Sequence, residues 1–243
     1  MKLRMKAPFL CSVFLGTATV TAVVTAAPAA PPTAGPVTFD ADPVGGPSAS
    51  LEGVIGDWYV GEADGKKGLM VDGTRWRQGT PSANLADQAK RLYGDRYGEF
   101  LDGVKAFAFF PLAIWKGECA GDRHFSVRFY PIAGRIDQGA GVAFDIGNDG
   151  SYYGFRANAL EDNMLFFKVV KGKRTIVQTI RGVSTSTRTW HTLTGTIAGK
   201  QLTVELDGKE RFKRTLDRAP TGRCGLWSKA DSKVLFDDFE ARP

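Results

Sequence analysis

Between Gly139 and Lys171 the chain falls into three short runs with strand character, separated by two polar turns. Gly139–Ile146 is small and apolar, Tyr152–Ala159 alternates, and Met164–Val170 is apolar apart from one lysine. Gly147-Asn148-Asp149-Gly150 and Glu161-Asp162-Asn163 divide them. Gly, Asn and Asp suit such turns because they tolerate positive φ or bond their own backbone. A meander of antiparallel strands is the economical prediction. Alternation assigns faces within it: Tyr153, Phe155 and Ala157 point one way, and Tyr152, Gly154, Arg156 and Asn158 the other. The first set suits a core. On the following run Met164, Phe166 and Lys168 share a face, and a matching register would bring Arg156, Asn158 and Lys168 together across neighbouring strands.

The same rhythm extends in both directions. Val37–Phe39, Gly56–Val60 and Gly68–Trp76 read as early strands, with Pro43, Gly45, Gly46 and Pro47 breaking the chain between the first two. From His124 onward, Phe125, Val127 and Phe129 alternate with polar neighbours. Further runs follow at Arg174–Ile180, Trp190–Ala198, Leu202–Leu206, Arg211–Leu216, Gly225–Trp227 and Val234–Phe236. Asp207-Gly208 marks a hairpin. Many short strands at regular spacing predict an all-β sandwich or barrel. One segment interrupts the pattern. Leu85, Ala89, Leu92 and Tyr93 recur at helical spacing, with Asn84 placed to cap and Gly94 to terminate. The apolar run Val104–Phe110 then reads as a core strand rather than a membrane-touching lid, so the insert spans about 84–110.

The N-terminus changes the charge picture. Lys2, Arg4 and Lys6 precede an apolar run, Phe9–Val24, and small residues follow around Ala26–Ala29. This is the layout of a secretory signal peptide, expected over 1–27, and the run is short for a membrane span. An Ala/Pro-rich linker, 28–36, then leads into a single domain, 37–243. The expected location is periplasmic or extracellular, with no transmembrane anchor after cleavage. The formal charge of +6 drops to +3 once the three leader bases are removed. That mild excess, without an arginine-rich tract, gives no case for nucleic acid. Cys119 and Cys224 remain; in an oxidising compartment they could pair, or stay as two thiols with Cys224 buried in a strand.

Candidate chemistry is sparse. No HExxH, paired CxxC or GxSxG occurs. Arg156, Asn158 and Lys168, with Trp227 and Lys229 on one face of a later strand, compose a polar and aromatic surface. Such a surface suits a sugar, whose apolar ring face stacks on Trp while its hydroxyls bond Arg, Asn and Lys; it is equally the composition of a solvated sheet face. His191 follows Trp190 in a strand and reads as structural, and Asp207, two residues after Glu205, reads as a turn residue. Asp237, with Asp40 near the first strand, offers hard oxygen ligands for calcium; Asp238 would point to the opposite face.

Several segments together carry a resemblance. They are Asp137–Gly141, Ser151–Tyr153, Arg156–Asn163 (RANALEDN), Gly172–Arg174, Trp190–Leu193, Leu206–Gly208, Gly225–Ser232 (GLWSKADS) and Phe236–Phe239. In that order they resemble a secreted bacterial family of concanavalin A-like lectin/glucanase sandwiches, labelled 3-keto-disaccharide hydrolase and formerly a domain of unknown function. The resemblance runs from about Phe39 to the C-terminus and implies an all-β jelly-roll of two antiparallel sheets, with any ligand in the concave face or at its rim. The carboxylate cluster of family-16 glucanases is missing. Three functions follow as expectations: a glycan binder through Arg156, Asn158, Lys168, Trp227 and Lys229; a hydrolase or lyase on a modified glycoside, with Glu161, Asp231 or His124 as acid or base; or a non-catalytic structural or protein-interaction module of the cell envelope.

Overall fold

The computed structural model describes residues 35–75, 85–104 and 110–243. The expected signal peptide, most of the linker and the Asn84 cap lie outside the described residues. Strands are numbered in chain order. The first sheet runs β1 (Leu51–Ile55), β4 (Leu112–Trp115), β13 (Arg223–Ser228), β6 (Gly139–Ile146), β7 (Tyr152–Asn158), β8 (Asn163–Val170) and β9 (Lys173–Arg181). The second runs β12 (Lys209–Thr215), β11 (Gln201–Leu206), β10 (His191–Ala198), β5 (Arg123–Ala133), β14 (Lys233–Arg242), β3 (Lys66–Asp72) and β2 (Trp58–Ala63). Every pairing is antiparallel. Two seven-stranded antiparallel sheets of this kind form the concanavalin A-like jelly-roll sandwich, with a short helical insert.

The predicted meander is β6, β7 and β8. Its inward residues, Val142, Phe144, Phe155, Ala157, Met164 and Phe166, meet Phe125, Phe129 and Phe236 of the other sheet and are essentially solvent-free. Burial of each such phenylalanine contributes about 1.5–3 kcal/mol. The hairpin at Asp207-Gly208 has both residues at positive φ, 53° and 71°, as a type I′ turn requires. Val37–Phe39 is reduced to an isolated bridge from Val37 to Phe239.

Register settles the faces. Arg156 lies opposite Gly141 on β6 and Leu165 on β8, whereas Lys168 lies opposite Tyr153. Lys168 therefore projects on the inward-facing side with Tyr153, at the sheet's end, where its ammonium is 3.8 Å from Asp217. The expected grouping of Lys168 with Arg156 and Asn158 is wrong by one residue of parity. The turn between β7 and β8 pairs even positions with odd ones, and that parity moves a side chain to the opposite face.

The helical insert is α1 (Leu85–Tyr93), a single 3-10 turn at Gly94–Arg96 and α2 (Tyr97–Val104). Gly94, at φ 56°, ends α1 where the sequence placed the stop. Ala89, Tyr93 and Phe100 are buried against the outer face of the first sheet, with Val54, Leu112 and Ile114. Most of the expected core strand at Val104–Phe110, namely 105–109, lies outside the described residues; Val104 closes α2, and the strand that enters the sheet after the insert is Leu112–Trp115. Pro111, which cannot donate to a ladder, falls just before it.

Candidate functional site

Two glycines on the outer face of the first sheet make room for large neighbours. A Cβ on Gly141 would lie 2.7 Å from Arg156 Cβ, and one on Gly154 would lie 2.4 Å from the Phe167 ring. Phe167 lies beside Trp227, with ring centroids 4.8 Å apart, and Phe110 stacks on Trp227 at 5.6 Å. Trp227 is 0 % exposed and its indole N–H donates to the Tyr152 hydroxyl at 3.2 Å. The sequence offered Trp227 as a sugar-stacking ring; the structure corrects this, because both its partners are aromatic side chains of the protein itself. Arg174, from β9, closes the aromatic stack with its guanidinium 4.8 Å from the Phe110 centroid.

Beside this stack the outer face turns from aromatic to charged. Arg156 is 1 % exposed and fully engaged on one side: it donates to Asn163 Oδ1 at 2.5 Å and to Glu161 Oε2 at 2.5 Å. Asn163 Nδ2 donates to the same Glu161 oxygen at 3.1 Å. Lys229 Nζ sits 2.8 Å from Asp137 Oδ2 and 3.9 Å from Glu161 Oε1, so it bridges two carboxylates. Asn158 donates to Asp137 Oδ1 at 2.7 Å and accepts the backbone N–H groups of Gln138 and Leu160 at 3.2 and 3.0 Å. The result is one continuous network, Arg156–Asn163–Glu161–Lys229–Asp137–Asn158, in which Glu161 at 35 % and Lys229 at 14 % side-chain exposure, with the half-buried Asn163, reach solvent.

The two segments that the sequence singled out converge here. Arg156, Asn158, Glu161 and Asn163 come from RANALEDN. GLWSKADS supplies Lys229 and the groups that fix the facing loop. Asp231 accepts backbone N–H bonds from Arg135, Ile136 and Asp137 at 2.7, 3.1 and 3.0 Å. Ser232 Oγ accepts from Gly139 N at 3.0 Å, and Ser228 Oγ donates to Gly139 O at 2.8 Å. Asp231 thus holds the loop that presents Asp137, and its lone pairs are committed to that loop. Asn163 and Asp137 are the members that sequence reasoning did not single out as site residues, and Asp137 lies outside both segments. A loop aspartate before a strand looks like a turn residue, and only its complete burial marks it as different.

Electrostatics separate the two carboxyls. Burial pushes Asp137 above the usual carboxylate range, and Lys229 only partly offsets that. Burial also acts to raise Glu161, but the Arg156 guanidinium, with Asn163 and Lys229, holds it below its ordinary value. Opposite shifts in adjacent carboxyls are what an acid–base pair needs, and structural ion-pair networks produce them too.

The remaining candidates fall elsewhere. His124 is on β5 in the second sheet, its Nδ1 3.0 Å from Thr196 Oγ1; the fold does not bring it to the network, because it belongs to the other layer. Asp237 is largely buried in β14; burial and the like charges of Asp238 and Asp40 raise it, with Arg128 acting against them. Among the described residues no three His, Cys, Asp or Glu side chains gather as a metal site, and Asp238 is paired with Arg128 at 3.2 Å. His191 is held between Asp207 Oδ2 at 2.8 Å and Ser186 O at 3.1 Å. Cys119 and Cys224 are bonded to each other.

Comparison with known proteins places this geometry in a fold. No protein-family model matches the chain, and no curated protein matches it. Among solved structures, it is similar to the carbohydrate-binding module CBM66 from Bacillus subtilis, with a TM-score of 0.57 at 13 % identity over 80 % of this chain and 96 % of that one. It is also similar to a Bacillus subtilis protein of unknown function with a galectin-like fold, with a TM-score of 0.50 at 10 % identity over 79 % of this chain and 87 % of that one. At such identities the likeness establishes the sandwich fold.

Proposed function

We propose that this protein binds carbohydrate at the solvent-reaching end of the Arg156–Glu161–Lys229 network. The observation that carries the reading is the convergence of RANALEDN and GLWSKADS side chains into one network on the outer face of a sheet, with an ionised carboxylate and an ammonium at its mouth. Glu161 accepts hydrogen bonds from sugar hydroxyls, Lys229 and Asn163 donate to sugar oxygens, and Arg156 holds Glu161 in place from beneath. Similarity to a carbohydrate-binding module in the same fold supports this by analogy.

A second reading makes the same site catalytic on a 3-keto-glycoside. The depressed Glu161 is an ionised base at neutral pH, and Lys229 beside it is placed to stabilise an oxyanion. Glu161 would remove the proton from the carbon between the ketone and the anomeric centre; a double bond would form between that carbon and the anomeric centre as the glycosidic C–O bond breaks, and the protonated Glu161 would return its proton to the departing alkoxide, releasing an alcohol and an enone. The Cys119–Cys224 bond supports a location outside the cytoplasm, where disulfides persist.

A glycan array followed by calorimetric titration tests the first reading. Binding that falls at least tenfold in Glu161→Gln and in Lys229→Met is the expected result. Binding by neither the native protein nor the variants would instead favour a protein-interaction module. Turnover of 3-keto-disaccharides, abolished in Glu161→Gln, is expected of the second reading; undiminished turnover in that variant would exclude Glu161 as the base.

A further inference from the structure

The positive charge of the chain is concentrated on one flank of the sandwich. β9 and β12 are terminal strands of the two sheets. Phe166 of β8 and Phe212 of β12 meet across the core with ring centroids 6.1 Å apart, so the two edges lie on the same side. Together these strands carry seven bases and one acid, a local charge equal to the formal +6 of the entire chain. No acid occurs anywhere from Asn163 to Val204. The flank is about 30 Å long, from the 9 residues of β9 at roughly 3.4 Å each, and about 10 Å wide, the spacing of stacked sheets.

We propose that this flank binds an acidic polysaccharide of the polyuronate class, and that Arg174 links it to the Glu161–Lys229 site. The choice of a sugar polymer among polyanions rests on the carbohydrate reading of that site; the preference for an anion does not.

Three observations carry it. First, the bases lack counter-ions. Glu210, the acid on β12, is taken by Lys213 at 2.9 Å. Lys173, Arg174, Arg181, Lys209, Arg211 and Arg214 have no carboxylate at ion-pairing distance, and every Asp and Glu of the chain lies among the described residues. Lysines on an edge discourage strand pairing, but bases with acidic neighbours serve that purpose equally well. A run of bases without acids creates a field that draws in anions. Secondly, Arg174 is a partly desolvated cation. Its guanidinium packs 4.8 Å from the Phe110 centroid and 5.7 Å from that of Phe167, and its Nη1 is closed off from solvent with no acceptor among the described residues. Burial lowers its pKa, and Tyr152, Asp137 and Glu161 only partly offset that. The residue as a whole is half-buried, so its remaining N–H groups face the surface. A carboxylate, which matches the planar guanidinium fork, supplies the missing charge. Thirdly, Arg174 belongs to both places. Leu165, the partner of Arg156, and Phe167, under Arg174, are successive outer-face residues of β8. Arg174 therefore packs one step along the sheet from Arg156, while its chain neighbour Lys173 stands on the flank. With Arg174 included, the outer face holds three bases, Arg156, Lys229 and Arg174, against two carboxyls, Glu161 and Asp137. The surplus of one positive charge suits a sugar residue that carries one carboxylate.

Calorimetric titration of the full chain with polygalacturonate tests this, with phosphatidylglycerol vesicles as a second polyanion. The flank variant is Lys173→Gln/Lys209→Gln/Arg214→Gln; all three side chains are exposed, and melting curves verify folding of each variant. The expected result is binding of polygalacturonate by the native protein, weakened at least tenfold in the flank variant and at least fivefold in Arg174→Gln, and weakened as added salt shortens the screening length. Loss in the flank variant and in Arg174→Gln with full retention in Glu161→Gln/Lys229→Met would support the flank and refute the reading of the Glu161–Lys229 site alone. Three outcomes overturn the proposal: no binding of polygalacturonate at low ionic strength; binding undiminished in the flank variant or in Arg174→Gln; or tighter binding to the vesicles than to polygalacturonate, which would make the flank a membrane-docking surface.

Discussion

Breaking the Arg156–Glu161 pair probes the network where its geometry is best defined. Arg156 is almost without solvent contact, whereas Glu161 keeps 35 % of its side-chain surface. Removing one partner of a fully buried pair costs about 3–5 kcal/mol, because the other charge is left uncompensated. Here Glu161 is partly solvated, and Arg156 retains its bond to Asn163 Oδ1. The expected cost of Glu161→Gln is therefore nearer 2–3 kcal/mol, roughly that of a charge-assisted hydrogen bond. In a domain of this size 1 kcal/mol moves Tm by about 2–4 °C, so the melting temperature should fall by roughly 4–12 °C. Arg156→Met should cost a similar amount, since Asn163 and Glu161 both lose their donor. The Arg156→Met/Glu161→Gln double variant removes both charges at once. It should cost less than the sum of the singles by about 1–3 kcal/mol, the range for residues in one network. Urea unfolding at pH 7 measures all four corners of the cycle. Additivity within about 0.5 kcal/mol would refute the coupling and with it the claim that Arg156 fixes Glu161.

Other perturbations follow from the same structure. Replacing Cys119 and Cys224 with alanine opens a link that spans 105 residues; loop-closure entropy for about 100 residues predicts a loss near 4.7 kcal/mol, which a denaturation midpoint would report. Gly154→Ala puts a methyl 2.4 Å from the Phe167 ring and should cost about 1–3 kcal/mol by overpacking, read by calorimetry; an unchanged Tm would mean that the ring yields freely. Acid should weaken the fold by a defined route. Asp72, although burial acts to raise it, is lowered to about 2 by Lys233 and Thr74, and Glu161 is lowered by Arg156. A depressed carboxylate stabilises the folded state above its unfolded pKa and loses that contribution as pH falls through the folded value. For Asp72 the window runs from about pH 4 to 2, so Asp72→Asn should flatten the stability profile there.

The sandwich was legible because most of its strands announce themselves locally, β1 and β4 being exceptions. Alternation in Tyr152–Ala159 assigned Phe155 and Ala157 to the core, and Asp207-Gly208 fixed a hairpin, since both depend on residues close in sequence. Faces across strands were less legible. Lys168 was grouped with Arg156 because alternation within a strand says nothing of the parity between strands, which the β7–β8 turn sets. Trp227 was read as a surface ring because the residue that covers it, Phe110, comes from an insert more than a hundred positions earlier. The helix α2 carries little local signal: Gly98 and Gly103 lower its propensity, and packing of Phe100, with Tyr97 and Leu101, against the sheet and α1 stabilises it. Within the network, Arg156, Asn158, Glu161 and Lys229 stood in the recognisable segments. Asp137 did not stand out as a site residue, since what distinguishes it is desolvation, a property of the folded state alone.

The most direct test of carbohydrate binding at Glu161 and Lys229 is thermal melting of the purified protein with a panel of oligosaccharides and their 3-keto derivatives at millimolar concentration, in the native sequence and in Glu161→Gln/Lys229→Met. A ligand at ten times its Kd adds about 1.4 kcal/mol to the folded state, which at this size raises Tm by roughly 3–6 °C. The predicted result is such a shift with at least one sugar, lost in the double variant. A panel that leaves the native Tm unmoved, or a shift of equal size in both proteins, would contradict the assignment.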